Sequence, residues 1–385
     1  MAAQQQFDLR PRHDVAYGNR SSQTIDMKVL FVGKRFYTNR DALREKYGRI
    51  WNLPWHWAQA GVPTRLWLVD YHSRDLVRKT EGQLDVVSTP VRTLSVFKQY
   101  LRQSRLSSKP DVVVASGDCY IGLLAYRLAR RLRARFVFDI YDKYDEFGAF
   151  ATLPGFDPYD FLLRRADACM FASRALMERT GERVKKSVLV RNGIDTSNFY
   201  PRDMQACRTA LGLPLDATII GYFGSLDKGR GIDDLLSARQ RLLASGSDLQ
   251  VLIGGKPRAG LVLDGSGIHY LGDLPYPDVP RALACCDLLA LPYRRSAYLD
   301  MASSCKIVEY MAMQRPIVAT RTPNFTENFI DIAAQLGGLM AEPGDPADLA
   351  RAILDQTVAR KVLPAPSELG WDAIALAART ALSLI

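Results

Sequence analysis

Short runs of β-branched and aromatic residues recur along the chain. Each leads into a stretch where apolar positions return every three or four residues. In the first half, "KVLFVG" leads to "ALREKYGRIWNLPWHWAQAG" and then "TRLWLVD". "DVVVAS" (Asp111–Ser116) leads to "GLLAYRLARRLR" and then "RFVFDI" (Arg135–Ile140). "DACMFAS" precedes "RALMERTG", and "SVLVRNG" closes the half. Continuous apolar strands alternating with amphipathic helices predict a parallel sheet covered on both faces. The pattern restarts after "FYPRD". "TIIGYFGS" leads to "GIDDLLSARQRLLASG" and "LQVLIGG"; "IHYLGDL", "PDVPRALACC" and "DLLALPY" follow, then "KIVEYMAM" and "PIVAT".

This spacing predicts an α/β chain of two Rossmann-like, doubly wound domains, residues 27–200 and 201–365. A ligand cleft is expected where the carboxyl ends of their strands face each other. The junction falls near residues 198–214, which hold Pro201, Gly212 and Pro214. A last helix within 366–385 is expected to cross back to the first domain. Residues 1–26 lack an apolar signal core and read as a disordered extension ahead of a strand that starts at Met27.

Composition adds little beyond excluding some classes. Hydrophobic residues make up 48% and charged residues 24%, ordinary for a soluble globular chain. No run approaches the roughly 18 apolar residues of a spanning helix. The cysteines (Cys119, Cys169, Cys207, Cys285, Cys286 and Cys305) form no CxxC or His–Cys cluster. They read as reduced core thiols in a cytoplasmic protein, with no metal and no cofactor expected.

Charge changes the picture more. Residues 1–186 hold 32 Lys and Arg against 20 Asp and Glu, whereas the rest hold 19 against 21. "YRLARRLRARF" (Tyr126–Phe136) is the densest cluster. A solvated helix face is one reading of it. A surface drawn to anionic lipid or a phosphorylated acceptor is the other. Nucleic acid is the weaker option, because no recognised nucleic-acid module accompanies the charge.

Two stretches of the second half suggest chemistry. "GYFGSLDKGRGIDDLL" (Gly221–Leu236) reads as strand, glycine turn and helix. Gly224 would let backbone N–H groups approach a phosphate, and Ser225 could donate its hydroxyl. Lys228 or Arg230 could neutralise a pyrophosphate near the helix start. A tight turn with solvated cations is the plain alternative. In "SSCKIVEYMAMQRPIVAT" (Ser303–Thr320), Lys306 and Glu309 sit one turn apart behind two serines. The Glu309 carboxylate could accept both hydroxyls of a ribose. The amides of Ser303 and Ser304, with the Lys306 ammonium, could face a diphosphate. The alternative is a surface ion pair worth only ~0.5 kcal/mol.

Together these stretches resemble the donor-binding half of retaining glycosyltransferases of the GT-B fold, family 4. "VRNGIDTSNFYP" (Val190–Pro201) resembles that family's N-G-[IV]-D-x-x-x-F-x-P signature. "LGDLPYPDVPRALACCDLLALPY" resembles its nucleobase-contacting segment, and "KIVEYMAMQRPIVAT" its E-x-M-A-x-G-x-P-[IV]-V-A-[ST] motif. The resemblance implies that Glu309 holds the ribose and that Gly224, Ser225 and Arg230 hold the diphosphate. Three positions depart from the pattern. Met301 stands where a second glutamate is common, leaving Asp300 or the amides around Ser303 to take its role. Ser225 stands where an arginine is usual, and Gln314-Arg315 replaces a glycine-led pair.

In the first half, "FVFDIYDKYDEF" resembles the family's D-x-H-D segment, with Tyr141 in the histidine position. A carboxylate at a strand end could orient or deprotonate an acceptor hydroxyl. Asp142 is the first candidate, ahead of Asp139, Asp145 and Glu146. Gly33, Lys34, Arg35 and Asn39 of the first loop are expected on the acceptor side. The implied activity moves a sugar from a nucleotide-sugar donor to a glycan or lipid-linked acceptor. The implied location is cytoplasmic, peripheral at the membrane's inner face. A nucleotide-sugar epimerase of the same fold, or a silent nucleotide-sugar-binding scaffold, remains an alternative.

Overall fold

The computed structural model describes residues 27–37, 40–144, 155–365 and 367–383. The extension read at residues 1–26 lies outside these, as do Asn39, Asp145 and Glu146. The amino-terminal domain is built on an eight-stranded sheet. Its spatial order is Ser187–Leu189, Ala168–Phe171, Arg135–Ile140, Val112–Ser116, Val29–Lys34, Thr64–Asp70, Leu84–Pro90, Val77–Glu81. Neighbours pair in parallel except the last two, which form an antiparallel hairpin at one edge. The central strands are buried over nearly their whole length, as continuous apolar runs require.

The hairpin does not follow from the hydrophobic runs. Val77–Glu81 alternates between half-buried and exposed positions, as an edge strand does, and carries Arg78, Lys79 and Glu81. The long helical pattern after the first strand also divides. Lys46 takes a left-handed conformation, φ 52°, which separates Ala42–Glu45 from Gly48–Gln59.

The carboxy-terminal domain holds a five-stranded parallel sheet. Its order is Ile268–Tyr270, Leu249–Gly254, Thr218–Phe223, Leu288–Leu291, Ile317–Ala319. The last helix, Trp371–Ser383, leaves this domain and lies on Gly48–Gln59. There the Trp57 indole N–H donates to the Ala375 carbonyl at 2.7 Å. Backbone bonds between Ile194 and both Leu369 and Trp371 tie the interdomain strand to the same crossing. Trp51 and Trp57 are buried in the core. Among the described residues no helix is long and apolar enough to cross a membrane.

Candidate active site

A cleft of about 510 Å³ lies between the domains, at the carboxyl ends of both sheets. Its walls include Asp142 from the first domain and Gly224, Ser225, Arg230, Ser303, Ser304, Lys306 and Glu309 from the second. Folding therefore brings most of the sequence-derived candidates together. The exceptions have physical reasons. Lys228 is exposed in the short turn Lys228–Arg230 and does not line the cleft. Gly33 faces Ile50, whose methyl group would lie 2.6 Å from any added Cβ, so that glycine serves helix packing. Lys34 pairs with Asp118 at 3.7 Å and lies over the Tyr71 ring. Arg35 is buried, held by Asp41 at 2.9 Å and by Asp70 at 2.9 Å. Its donors are taken up inside the fold, so it is a structural arginine and offers nothing to an acceptor.

Glu309 sits on the helix Cys305–Ala312 and is only 8% exposed, yet it borders the cleft. It makes no ion pair with Lys306, which removes the surface-pair alternative. Burial pushes its carboxyl pKa up, against the pull of Lys306, Arg40 and the Tyr276 hydroxyl. Two cations face the same space. The Lys306 and Arg230 side chains make no hydrogen bond or ion pair among the described residues, although the Arg230 backbone N–H donates to the Asp227 carbonyl at 3.0 Å. Arg230 is stacked on the Tyr293 ring, 5.1 Å from its centroid. Burial opposes the Arg230 charge, but the neighbouring tyrosines and Asp142 outweigh it and hold the group above its usual pKa. Buried or stacked cations without a counter-ion are suited to an anionic ligand.

The backbone is shaped for the same purpose. Gly224 has φ 140°, and a Cβ there would fall 1.9 Å from the Lys306 side chain. Only glycine lets that lysine cross the strand end. Ser304 caps the Cys305–Ala312 helix without a side-chain bond to it, because its hydroxyl meets Tyr293 at 3.0 Å. The first amide N–H groups of the helix are thus left without a side-chain cap. The loop before it is pinned from both sides. Asn192 donates to the Ser303 carbonyl at 2.9 Å, and Asn328 donates to the Ala302 carbonyl at 3.0 Å. Both carbonyls are thus engaged by side-chain amides.

Asn192 is itself the end of a buried relay. Arg49 donates to its side-chain oxygen at 3.1 Å and to the Val190 carbonyl at 2.9 Å. The same guanidinium grips Asp139 at 2.6 and 2.9 Å, and Ser116 donates to Asp139 at 2.6 Å. Asp139 is thus committed to the core and not to an acceptor. Asp142, three residues on, reaches across the cleft and accepts from the Tyr298 hydroxyl at 2.7 Å.

The family departures resolve locally. Met301 does not line the cleft, and Asp300 is held by Arg295 at 2.8 Å, so neither supplies a second carboxylate. The amides around Ser303 occupy that corner instead. Ser225 lines the cleft but spends its hydroxyl on Asp227. Gln314 adopts φ 53° where the pattern usually has glycine, and bonds the Met311 carbonyl at 2.9 Å.

Sequence reasoning missed Arg40, Tyr47, Tyr276, Asn192 and Tyr298. Arg40 lies over both the Tyr47 and Tyr276 rings, 5.6 and 5.4 Å from their centroids, and donates to the Leu274 carbonyl at 3.2 Å. Tyr47 and Tyr276 meet edge to face at 4.8 Å across the domain gap. The usable signal was Asn192 in "RNG" and Tyr276 in "LPYPD", both in quoted motifs but given no role. Among the described residues no group of three or more His, Cys, Asp or Glu is placed to hold a metal ion.

Two Rossmann-like domains facing across a cationic cleft define the GT-B architecture. The solved structures it resembles agree. Sucrose-phosphate synthase from Thermosynechococcus elongatus superposes with a TM-score of 0.69 over 93% of this chain and 98% of that one, at 15% identity. The Anabaena protein HepE in complex with UDP gives 0.67 over 93% and 100%, at 16% identity. Residues 217–356 match the family described as Glycosyl transferases group 1. A D-inositol 3-phosphate glycosyltransferase of Geodermatophilus obscurus is 28% identical over 205 residues, covering 50% of this chain and 45% of the relative. A GDP-mannose-dependent monoacylated alpha-(1-6)-phosphatidylinositol monomannoside mannosyltransferase of Corynebacterium glutamicum is 28% identical over 175 residues, 43% of this chain and 45% of its own. The matched part of the chain thus spans about half the length of these curated relatives.

Proposed function

We propose that the chain is a retaining glycosyltransferase that moves a sugar from a nucleoside-diphosphate sugar to a hydroxyl of a lipid-linked or saccharide acceptor. The observation that carries this reading is one cleft that holds a buried carboxylate, Glu309, beside two cations, Lys306 and Arg230, whose side chains form no ion pair among the described residues. The carboxylate suits a ribose diol. The cations and the helix-start amides suit a diphosphate, and they would stabilise it as it leaves. Asp142 stands on the opposite wall, where an acceptor hydroxyl would enter. In the step, the bond from the anomeric carbon to the phosphate oxygen breaks as the acceptor oxygen bonds on the same face. The hydroxyl proton passes to the departing phosphate, with Asp142 orienting the acceptor. Domain closure would exclude water, which otherwise competes as acceptor.

The relatives' printed names, which include inositol-phosphate and phosphatidylinositol-mannoside acceptors, support a polar or lipid-linked acceptor here. A cytoplasmic site beside a membrane fits that choice. The test is a thermal-shift screen against UDP-, GDP-, ADP- and TDP-sugars, followed by product analysis by NMR. Stabilisation by one donor, and a product with the donor's anomeric configuration, is expected. No response to any donor would sink the proposal. An altered sugar formed from donor alone would make the chain an epimerase.

A further inference from the structure

The helix Ser95–Ser104 packs Val96 and Tyr100 against the core but leaves other apolar residues outside. Gln99 and Gln103 are buried, and the Gln103 side-chain oxygen finds no hydrogen-bond partner. Leu94 and Phe97 stand outward, 72% and 60% exposed. Positions 94, 97, 98, 101, 102 and 105 follow helical spacing, so Leu94, Phe97 and Leu101 share the outward face with Lys98, Arg102 and Arg105. Apolar side chains stay in water at the expense of stability, while a polar atom is left orphaned inside.

The position of this face matters. Leu94 follows the strand Leu84–Pro90, and Val91, also exposed, bonds the carbonyl of Asp70 at the end of Thr64–Asp70. Leu76, exposed too, immediately precedes the hairpin strand whose Val77 pairs with Ser88. All four apolar residues therefore gather at the carboxyl end of the amino-terminal sheet, the end that borders the cleft. Arg74, Arg92 and Lys98 lie nearest them along the chain, Arg102 and Arg105 follow on the same helix face, and no acidic residue occurs between positions 91 and 110, although Asp75 stands exposed between Arg74 and Leu76. Arg78 is held below its usual pKa by burial and by the nearby Arg102, as mutually repelling cations would be. The neighbouring helix Cys119–Leu132 packs on this one and presents Arg127, Arg130 and Arg131 to solvent.

We propose that Leu76, Val91, Leu94 and Phe97, ringed by Arg92, Lys98, Arg102 and Arg105, form the surface by which the chain lies on an anionic lipid bilayer. An in-plane helix with apolar residues among cations is what the headgroup boundary takes up. A second copy of the chain is the poorer occupant, since a two-fold contact would press one set of cations against its twin. Nucleic acid would use the cations but leave Leu94 and Phe97 in water. The proposal deepens the reading above by choosing the lipid-linked acceptor, and it rests on that reading only for this choice. Bilayer binding itself needs neither donor nor transfer. The geometry then presents the cleft to an acceptor whose headgroup projects from the membrane.

The test is flotation of the full chain with phosphatidylcholine vesicles made with or without phosphatidylglycerol. The wild type should float with the anionic vesicles and stay behind with the neutral ones. Leu94→Ser/Phe97→Ser should abolish flotation. Arg102→Gln and Arg105→Gln should each weaken it by about five-fold. Titration with the donor nucleotide serves as the folding control and should be unchanged in all three variants. A wild type that ignores anionic vesicles, or variants that float as well as it does, would overturn the proposal. So would an oligomer that dissociates in the Leu94→Ser/Phe97→Ser variant, or duplex DNA binding through the same residues without vesicle binding. Because nucleotide titration is read separately, loss of the membrane result leaves the transferase reading standing, and the reverse.

Discussion

Arg49→Met removes one partner of a fully buried pair. Arg49 and Asp139 are both 0% exposed and meet at 2.6 Å. Burial alone works against the guanidinium charge, and Asp139 more than restores it, holding the group above its usual pKa. Without Arg49, the Asp139 carboxylate keeps only Ser116 as a side-chain donor among the described residues. Breaking such a pair costs about 3–5 kcal/mol, because an uncompensated charge stays behind. At roughly 2–4 °C per kcal/mol for a domain of this size, the amino-terminal transition should fall by roughly 6–20 °C. The loss should also reach the cleft. Asn192 would lose the donor that fixes its oxygen, and with it the grip on the Ser303 carbonyl. Scanning calorimetry reads the first effect and nucleotide titration the second. Replacing both partners, as Arg49→Met/Asp139→Leu, should recover most of the stability, since no buried charge remains. A single variant that loses less than about 1 kcal/mol, or a double variant no more stable than the single, would refute this account of the relay.

Asp142→Asn should lower transfer by about 10²-fold while leaving donor affinity within about two-fold; equal loss of both, in steady-state kinetics beside titration, would remove Asp142 from the acceptor side. The raised Glu309 pKa sets a pH dependence with a definite sign. The folded chain holds that proton more tightly than the unfolded chain, so the stabilising contribution is full below the unfolded value of about 4.3 and is lost as pH rises through the raised folded value. Nucleotide binding needs the anion and so should weaken on acidification from a pH above the ordinary carboxylate range. Titrations at stepped pH check this, and Glu309→Gln should flatten the profile.

The order of strands and helices was legible because parallel sheets buried on both faces must be written as unbroken apolar runs. One wall of the cleft was legible for a related reason. Ser303, Ser304, Lys306 and Glu309 lie within one loop and one helix turn, so spacing fixes their geometry. What was not legible depends on distant partners. Arg49 and Asp139 are 90 residues apart, and nothing near Arg49 distinguishes it from a solvated helix arginine. Arg35 looked like a loop cation until Asp41 and Asp70 closed on it. The cluster of Arg40 with the Tyr47 and Tyr276 rings needs both domains in place. The outward Leu94 and Phe97 were hidden because a periodic pattern gives a helix its faces without saying which one meets the core.

Calorimetric titration of Glu309→Gln with the nucleoside-diphosphate sugar that stabilises the wild type tests the central claim most directly. The substitution keeps size and shape but removes the charge proposed to accept the ribose hydroxyls. The account predicts a loss of affinity of about ten-fold or more, the size of a hydrogen bond to a charged group. Affinity equal to that of the wild type would contradict it.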